Sequence, residues 1–108
     1  MIVVVFRARR TPAGAGEEYQ HWFVRMSELA RKMPGYVSHK GYVAEDGERL
    51  SMFEWESEET LREWARHPEH VAVKKLGRQK FYEEYHAQIC EVLRESKFSL
   101  NAKPEKTA

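Results

Sequence analysis

Residues 2–6, Ile2-Val3-Val4-Val5-Phe6, form an unbroken apolar run in which four of the five side chains are β-branched. β-Branched residues are stiff at χ1 and suit an extended backbone. Successive side chains of a strand point to opposite faces of its sheet. A run without polar alternation therefore calls for cover on both faces. This strand is predicted from Ile2 to about Arg9, and Thr11-Pro12-Ala13-Gly14-Ala15-Gly16 breaks it into a loop. The chain has 108 residues, enough for one domain, so the ways of covering two sheet faces are few.

The next stretch changes period from two to between three and four. Tyr19, Trp22, Phe23, Met26, Leu29, Ala30 and Met33 fall on one helical stripe, and the spacing predicts a helix from about Ala15 to Met33. Glu17 and Glu18 in its first turn and Arg31 and Lys32 in its last suit the helix dipole. Pro34-Gly35 ends it. A second strand follows from about Tyr36 to Glu45. The Asp46-Gly47 pair then marks a hairpin into a third strand, Arg49 to Glu56. Ser57 is a good N-cap for a second helix, with Glu58 and Glu59 in its first turn and Leu61, Trp64 and Ala65 facing inward. His67-Pro68 interrupts it, because a residue before proline avoids the helical region. A short helical piece from Glu69 to Leu76 ends at Gly77, and a last strand runs from about Tyr82 to Leu93. Residues 1–97 are predicted as the domain and residues 98–108, where the composition turns polar, as a flexible tail.

The predicted order is β-α-β-β-α-β. This is the ferredoxin-like α+β arrangement, a four-stranded antiparallel sheet with two helices on one face. The helices leave the second sheet face bare, with Val3 and Val5 on one side of the first strand and Ile2, Val4 and Phe6 on the other. An exposed apolar face of this kind calls for a partner, and pairing with a second copy is the simplest solution.

Composition narrows the function classes. Eighteen basic and 17 acidic residues leave a net charge of +1, which provides no field to gather nucleic acid or an anionic membrane. No segment approaches the roughly 20 apolar residues of a membrane span. The opening run has no basic leader, and one cysteine, Cys90, allows no disulfide within the chain. A reducing, cytoplasmic address is expected, with Cys90 buried in the run Ile89-Cys90-Glu91-Val92-Leu93.

The segment Phe53-Glu54-Trp55-Glu56-Ser57-Glu58-Glu59-Thr60-Leu61-Arg62-Glu63-Trp64, followed by His67-Pro68-Glu69-His70, is similar to the hallmark segment of the antibiotic-biosynthesis-monooxygenase-like family. Pro34-Gly35-Tyr36 before the second strand also fits, and the element order matches from Met1 to about Phe98. The resemblance implies a dimeric α/β barrel built from two sheets, with a pocket between helices and sheet in each subunit. Some members oxidise aromatic polyketides with molecular oxygen and no metal or flavin, others degrade haem, and others isomerise, decarboxylate or signal; the expectation here is oxidation of a small aromatic molecule, phenol or quinol in type, without a cofactor. A shared fold does not hand over an activity. In the haem-degrading branch an Asn on the first strand, a Trp on the second helix and a His ten positions later carry the function. Here Trp64 matches, the ligand position falls on Lys74, and the only asparagine is Asn101. Two of the three positions are missing, which argues against haem degradation and also weakens the transfer of oxygenase chemistry that uses an Asn–Trp pair.

Six residues carry the expected site. Trp64 either lies over an aromatic substrate or packs in the core at helical spacing from Leu61, with an indole N–H that needs a partner if buried. His70 is the candidate acid or base, since imidazole titrates near neutrality; a helix-capping or surface role is the alternative. These two are the expected catalytic residues. His39, Phe53, His86 and Arg7 are the expected substrate-binding residues. His39 and His86 sit mid-strand and each faces either the pocket or an ordinary sheet partner. Arg7, which breaks the apolar run, either clamps an anionic substrate or reaches a carboxylate or solvent. His67 and His70 stand three apart, but Pro68 lies between them and no further ligands complete a metal set, so no metal site is expected. Phe81, Tyr82 and Tyr85 beside Lys74, Lys75, Arg78 and Lys80 mix aromatic and basic residues as nucleic-acid binders do. The third strand, however, lacks the Gly-aromatic pattern of the RNA-recognition motif and carries Glu54 and Glu56 where phosphates would approach. Two readings remain: an oxygenase acting on a small aromatic molecule, and a non-catalytic dimer whose pocket holds a small ligand.

Overall fold

The computed structural model describes residues 1–101. The elements are β1 (Ile2–Arg10), α1 (Glu17–Arg31), β2 (Tyr36–Val43), β3 (Arg49–Trp55), α2 (Glu58–Ala65), α3 (Pro68–Leu76) and β4 (Tyr82–Glu91). The sheet order is β2-β3-β1-β4, and every neighbouring pair is antiparallel. This is the ferredoxin-like α+β arrangement, with the second helical region split into two. Of the tail expected from residue 98, residues 102–108 lie outside the described residues. Among the described residues no helix is long and apolar enough to cross a membrane.

The helices begin and end where the local chemistry demands. A short 3₁₀ turn, Pro12–Ala15, precedes α1, with Thr11 as its cap: the Gly14 N–H donates to Thr11 Oγ1 over 3.2 Å. That turn takes the first residues expected of α1, so the helix starts at Glu17. Ser57 and Thr60 form a reciprocal capping box on α2. α3 starts at Pro68, which needs no N–H at a first helical position, and the His67 Nδ1 accepts from the Glu69 N–H over 3.2 Å. Arg25 of α1 grips Glu69 of α3 with two hydrogen bonds of 3.0 and 2.8 Å. Gly35 adopts φ +83°, which turns the chain from α1 into β2, and Gly47 adopts φ +88° in the β2–β3 hairpin.

The core sits at one end of the helix-covered face. Ile2, Ala30, Trp55 and Trp64 are buried there, with Val4, Met26, Leu29, Met33, Tyr36, Phe53 and Leu61 packed around them. Trp55 and Phe81 are the most enclosed side chains, each 1% exposed. Phe81 closes a wide π-helical turn, Gly77–Phe81, that joins α3 to β4; the sequence signalled no such turn. Cys90 is exposed, contrary to the buried position expected for it. It pairs with Val3 on the sheet face that the helices do not cover, so an apolar sequence neighbourhood did not give it cover.

Candidate functional site

Strand register sorts the expected residues between the two faces. Val4 lies opposite Phe53, and Phe53 opposite His39, so these side chains share the helix-covered face. Arg7 lies opposite Leu50 on one side and His86 on the other, and this row belongs to the bare face with Val3, Val5 and Met52. Arg7 and His86 are joined by a hydrogen bond from the guanidinium to His86 Nδ1, and the Arg7 Nε is buried without a partner. His39 and Phe53 are therefore brought together on one side of the sheet, and Arg7 and His86 on the other.

Trp64 and His70 form a third group. Trp64 is 6% exposed and stacks on Trp55, with ring centroids 6.4 Å apart. His70 also stacks on Trp64, at 4.3 Å and with the rings 12° from parallel. Its Nδ1 lies 3.1 Å from the Trp64 carbonyl oxygen, which can only accept, so Nδ1 carries the proton. Burial pushes the His70 imidazole down to about 4, and the positive charges of Lys74 and His67 act in the same direction. The ring is neutral through the physiological range. The structure thus puts Trp64 in the core, with the half-buried His70 stacked on it, because α2 lays its inward stripe directly on Trp55.

The open space lies at the other end of the same face. A cleft of about 320 Å³ runs between the first half of α1 and the sheet, where the helices no longer reach down to the strands. His39 forms part of its lining, and of the six expected residues it is the one that does so. Its ring stacks on Phe53 at 4.2 Å and 9° and meets Phe23 of α1 at 5.6 Å. The His39 Nε2 is shut away from solvent and has no hydrogen-bond partner. Burial, with Arg31 nearby, holds the imidazole below its usual value. The result is a neutral ring with unmet hydrogen-bonding capacity.

Residues that sequence reasoning missed complete the cleft. Tyr19 of α1 and Tyr82 of β4 meet through their hydroxyls at 3.4 Å, and the Arg10 guanidinium stands 4.9 Å over the Tyr19 ring. Burial raises the Tyr82 phenol, and the Tyr19 contact adds to this, so it stays protonated and able to donate. Phe6 stacks against Tyr85 at 5.2 Å and meets Tyr82 edge-on at 5.5 Å. The aromatic cluster Phe81-Tyr82-Tyr85 was visible in the sequence, but its partner Tyr19 belongs to a helical stripe that reads as core. Among the described residues no three His, Cys, Asp or Glu side chains gather as a metal-binding group.

Residues 1–76 match the family model for antibiotic biosynthesis monooxygenase. The chain belongs to that family. A curated relative, the uncharacterized protein YqjZ of Bacillus subtilis, is 30% identical over 98 residues, covering 91% of this chain and 84% of its own. Among solved structures, SnoaB of Streptomyces nogalater, a cofactor-independent oxygenase, superposes with a TM-score of 0.72 at 17% identity, over 87% of this chain and 94% of its own. Rv0793 of Mycobacterium tuberculosis superposes with a TM-score of 0.73 at 20% identity, over 89% and 98%. At such identities these structures speak for the antibiotic biosynthesis monooxygenase fold, and the chemistry of this member rests on its own residues.

Proposed function

We propose that this family member is a monooxygenase whose site is the α1–sheet cleft and whose substrate is a small aromatic molecule of phenol or quinol type. The observation that carries this is His39: a neutral imidazole between Phe23 and Phe53, with a buried nitrogen that lacks a partner. Leaving such a group unpaired costs about 1–3 kcal/mol, a penalty that a substrate hydroxyl would relieve once the ring turns its Nε2 toward the cleft. The flanking rings favour a flat molecule by stacking. His39 would take the phenolic proton, and the resulting phenolate is electron-rich enough to reduce dioxygen. In the overall reaction a ring C–H becomes C=O, one oxygen atom enters the substrate, and the other leaves as water with the two hydrogens lost. The Tyr19 and Tyr82 hydroxyls would steady the developing oxygen charge. Trp64 and His70 would act from behind, by holding the end of the sheet against α2.

Oxygen consumption by the purified protein against a panel of naphthols, quinols and hydroxylated polycyclic aromatics tests this. Uptake is expected with at least one compound, and His39→Gln is expected to lower kcat about 100-fold, the usual scale for a general base, with an unchanged melting temperature. Equal uptake by the variant would remove His39 from the chemistry. No uptake from the folded protein with any compound would favour the reading as a ligand-binding module.

The functional unit would be a homodimer formed through the bare sheet face. Val3, Val5, Leu50 and Met52 put apolar surface there, with Arg7, His86, Lys40 and Glu54 around it, and a two-fold pairing would cover both copies at once. Sedimentation at micromolar concentration should give twice the chain mass; a monomer under those conditions would refute the pairing.

A further inference from the structure

The geometry points to an anionic substrate: we infer that Arg10 and Arg49, at the mouth of the cleft, hold a carboxylate carried by the aromatic molecule bound within it. This rests on the cleft being the binding site. Both arginines belong to the cleft lining, and that lining contains no Asp or Glu. Neither arginine is engaged in a salt bridge among the described residues. Arg10 lies over the Tyr19 ring, and Arg49 is exposed on the same face, where β3 pairs with Ala8 and Val43.

Three nearby carboxylates are engaged elsewhere. Asp46 of the hairpin and Glu84 of β4 both pair with Arg9, at 2.7 and 3.4 Å. Strand alternation sends Arg9 to the opposite face from Arg10. Glu18 of α1 is taken by Lys80. The most direct partner for Arg10 would be the residue across from it on β4. Plain register, counted down from Arg9 opposite Glu84, would place Glu83 there. A bulge between Arg9 and Arg10 skips Glu83 and puts Tyr82 opposite Arg10 instead. The irregularity exchanges a carboxylate for a phenol at that position, and Arg10 keeps its charge free. Two unpaired guanidiniums around a cleft walled by aromatic rings suit a planar molecule with one anionic end, since guanidinium binds carboxylate through directed, charge-assisted hydrogen bonds. The rings would receive the flat body near His39, and the carboxylate would remain at the open end.

Equilibrium titration with two redox-inert probes of the same shape tests the inference: naphthalene-2-carboxylate and naphthalene-2-carboxamide, followed by calorimetry. The carboxylate is expected to bind about tenfold more tightly than the amide at about 0.05 M salt, and the gap should shrink at about 0.5 M salt. Arg49→Gln and Arg10→Gln should each narrow the gap by weakening the carboxylate and leaving the amide unchanged. Arg62→Gln, on the outer surface of α2 in a pair with Glu58, should leave both affinities as they are. Equal binding of the two probes, a gap untouched by both arginine variants, or binding of neither probe would overturn the clamp. Equal binding that is lost in Phe23→Ala would do so while leaving the cleft as the ligand site. A failure of oxygen uptake with a normal carboxylate preference would overturn the oxygenase reading alone.

Discussion

Trp64→Ala is expected to remove roughly 3–5 kcal/mol of stability, the range for truncating a buried tryptophan or phenylalanine. A domain of this size has only about 5–15 kcal/mol in total, so the variant would sit near its unfolding threshold. Trp64 is 6% exposed and stacks with both Trp55 and His70, contacts that join α2 and α3 to the end of the sheet. Truncation leaves a void that the rigid strand ends cannot close. It also leaves the His70 imidazole without the ring it lies on. At about 4–8 °C per kcal/mol, the thermal midpoint should fall by on the order of 15 °C or more. Trp64→Phe keeps most of the buried surface and should lose much less. Circular dichroism melts of the three proteins decide the matter. An alanine variant that melts within about 2 °C of the native protein, yet no longer binds or turns over an aromatic ligand, would move Trp64 from the core to the site.

Gly35→Ala is expected to be nearly as damaging although it adds a single methyl group. Gly35 holds φ at +83°, a region in which a side chain costs about 1–2 kcal/mol. The added Cβ would also overlap Oγ1 and Cβ of Thr60 and come within 2.6 Å of its Cγ2. Thr60 cannot step aside freely, because its hydroxyl belongs to the capping box with Ser57. Overpacking of this kind costs about 1–3 kcal/mol more. The carbonyl of Gly35 accepts from the Glu56 N–H over 2.8 Å, so displacement would also pull on the β3–α2 junction. Denaturant unfolding should show a loss of roughly 3 kcal/mol. A loss below about 0.5 kcal/mol would mean that the α1–β2 turn relaxes easily into another shape.

Much of the architecture was legible because its signals are local. The stripe from Tyr19 to Met33 with Pro34-Gly35 after it specifies α1, Ser57 specifies the start of α2, and Asp46-Gly47 specifies the hairpin. The strand ends moved by one or two residues, as at β2, which stops at Val43, and β4, which stops at Glu91. The π-helical turn at Gly77–Phe81 had no signal, since its residues neither alternate nor repeat.

The site was harder to read because it depends on which strands are neighbours. Alternation along a strand says that residues share a face, but it does not say which face a helix will cover. His39 and His86 looked equivalent in the sequence, and register sends them to opposite sides. Trp64 has the helical spacing of a core residue and the family position of a pocket residue, and periodicity alone does not separate the two. Arg10 lies at the end of an apolar strand and Tyr82 just beyond a turn. Their meeting depends on the bulge, which nothing in either segment announces.

The central position of β1 also governs the order in which this chain can assemble. The β2–β3 hairpin closes over a tight turn and can form early and locally. β1 can dock on β3 of that hairpin, but its other partner β4 comes from the far end of the sequence, and Arg7 and His86, adjacent across that strand pair, are 79 residues apart along the chain. Closing so long a loop spends chain entropy before the contact returns anything, so the β1–β4 pairing is expected to follow the hairpin. Until it occurs, β1 can pair with β3 alone, and the other edge of its apolar run stands open to whatever else is near.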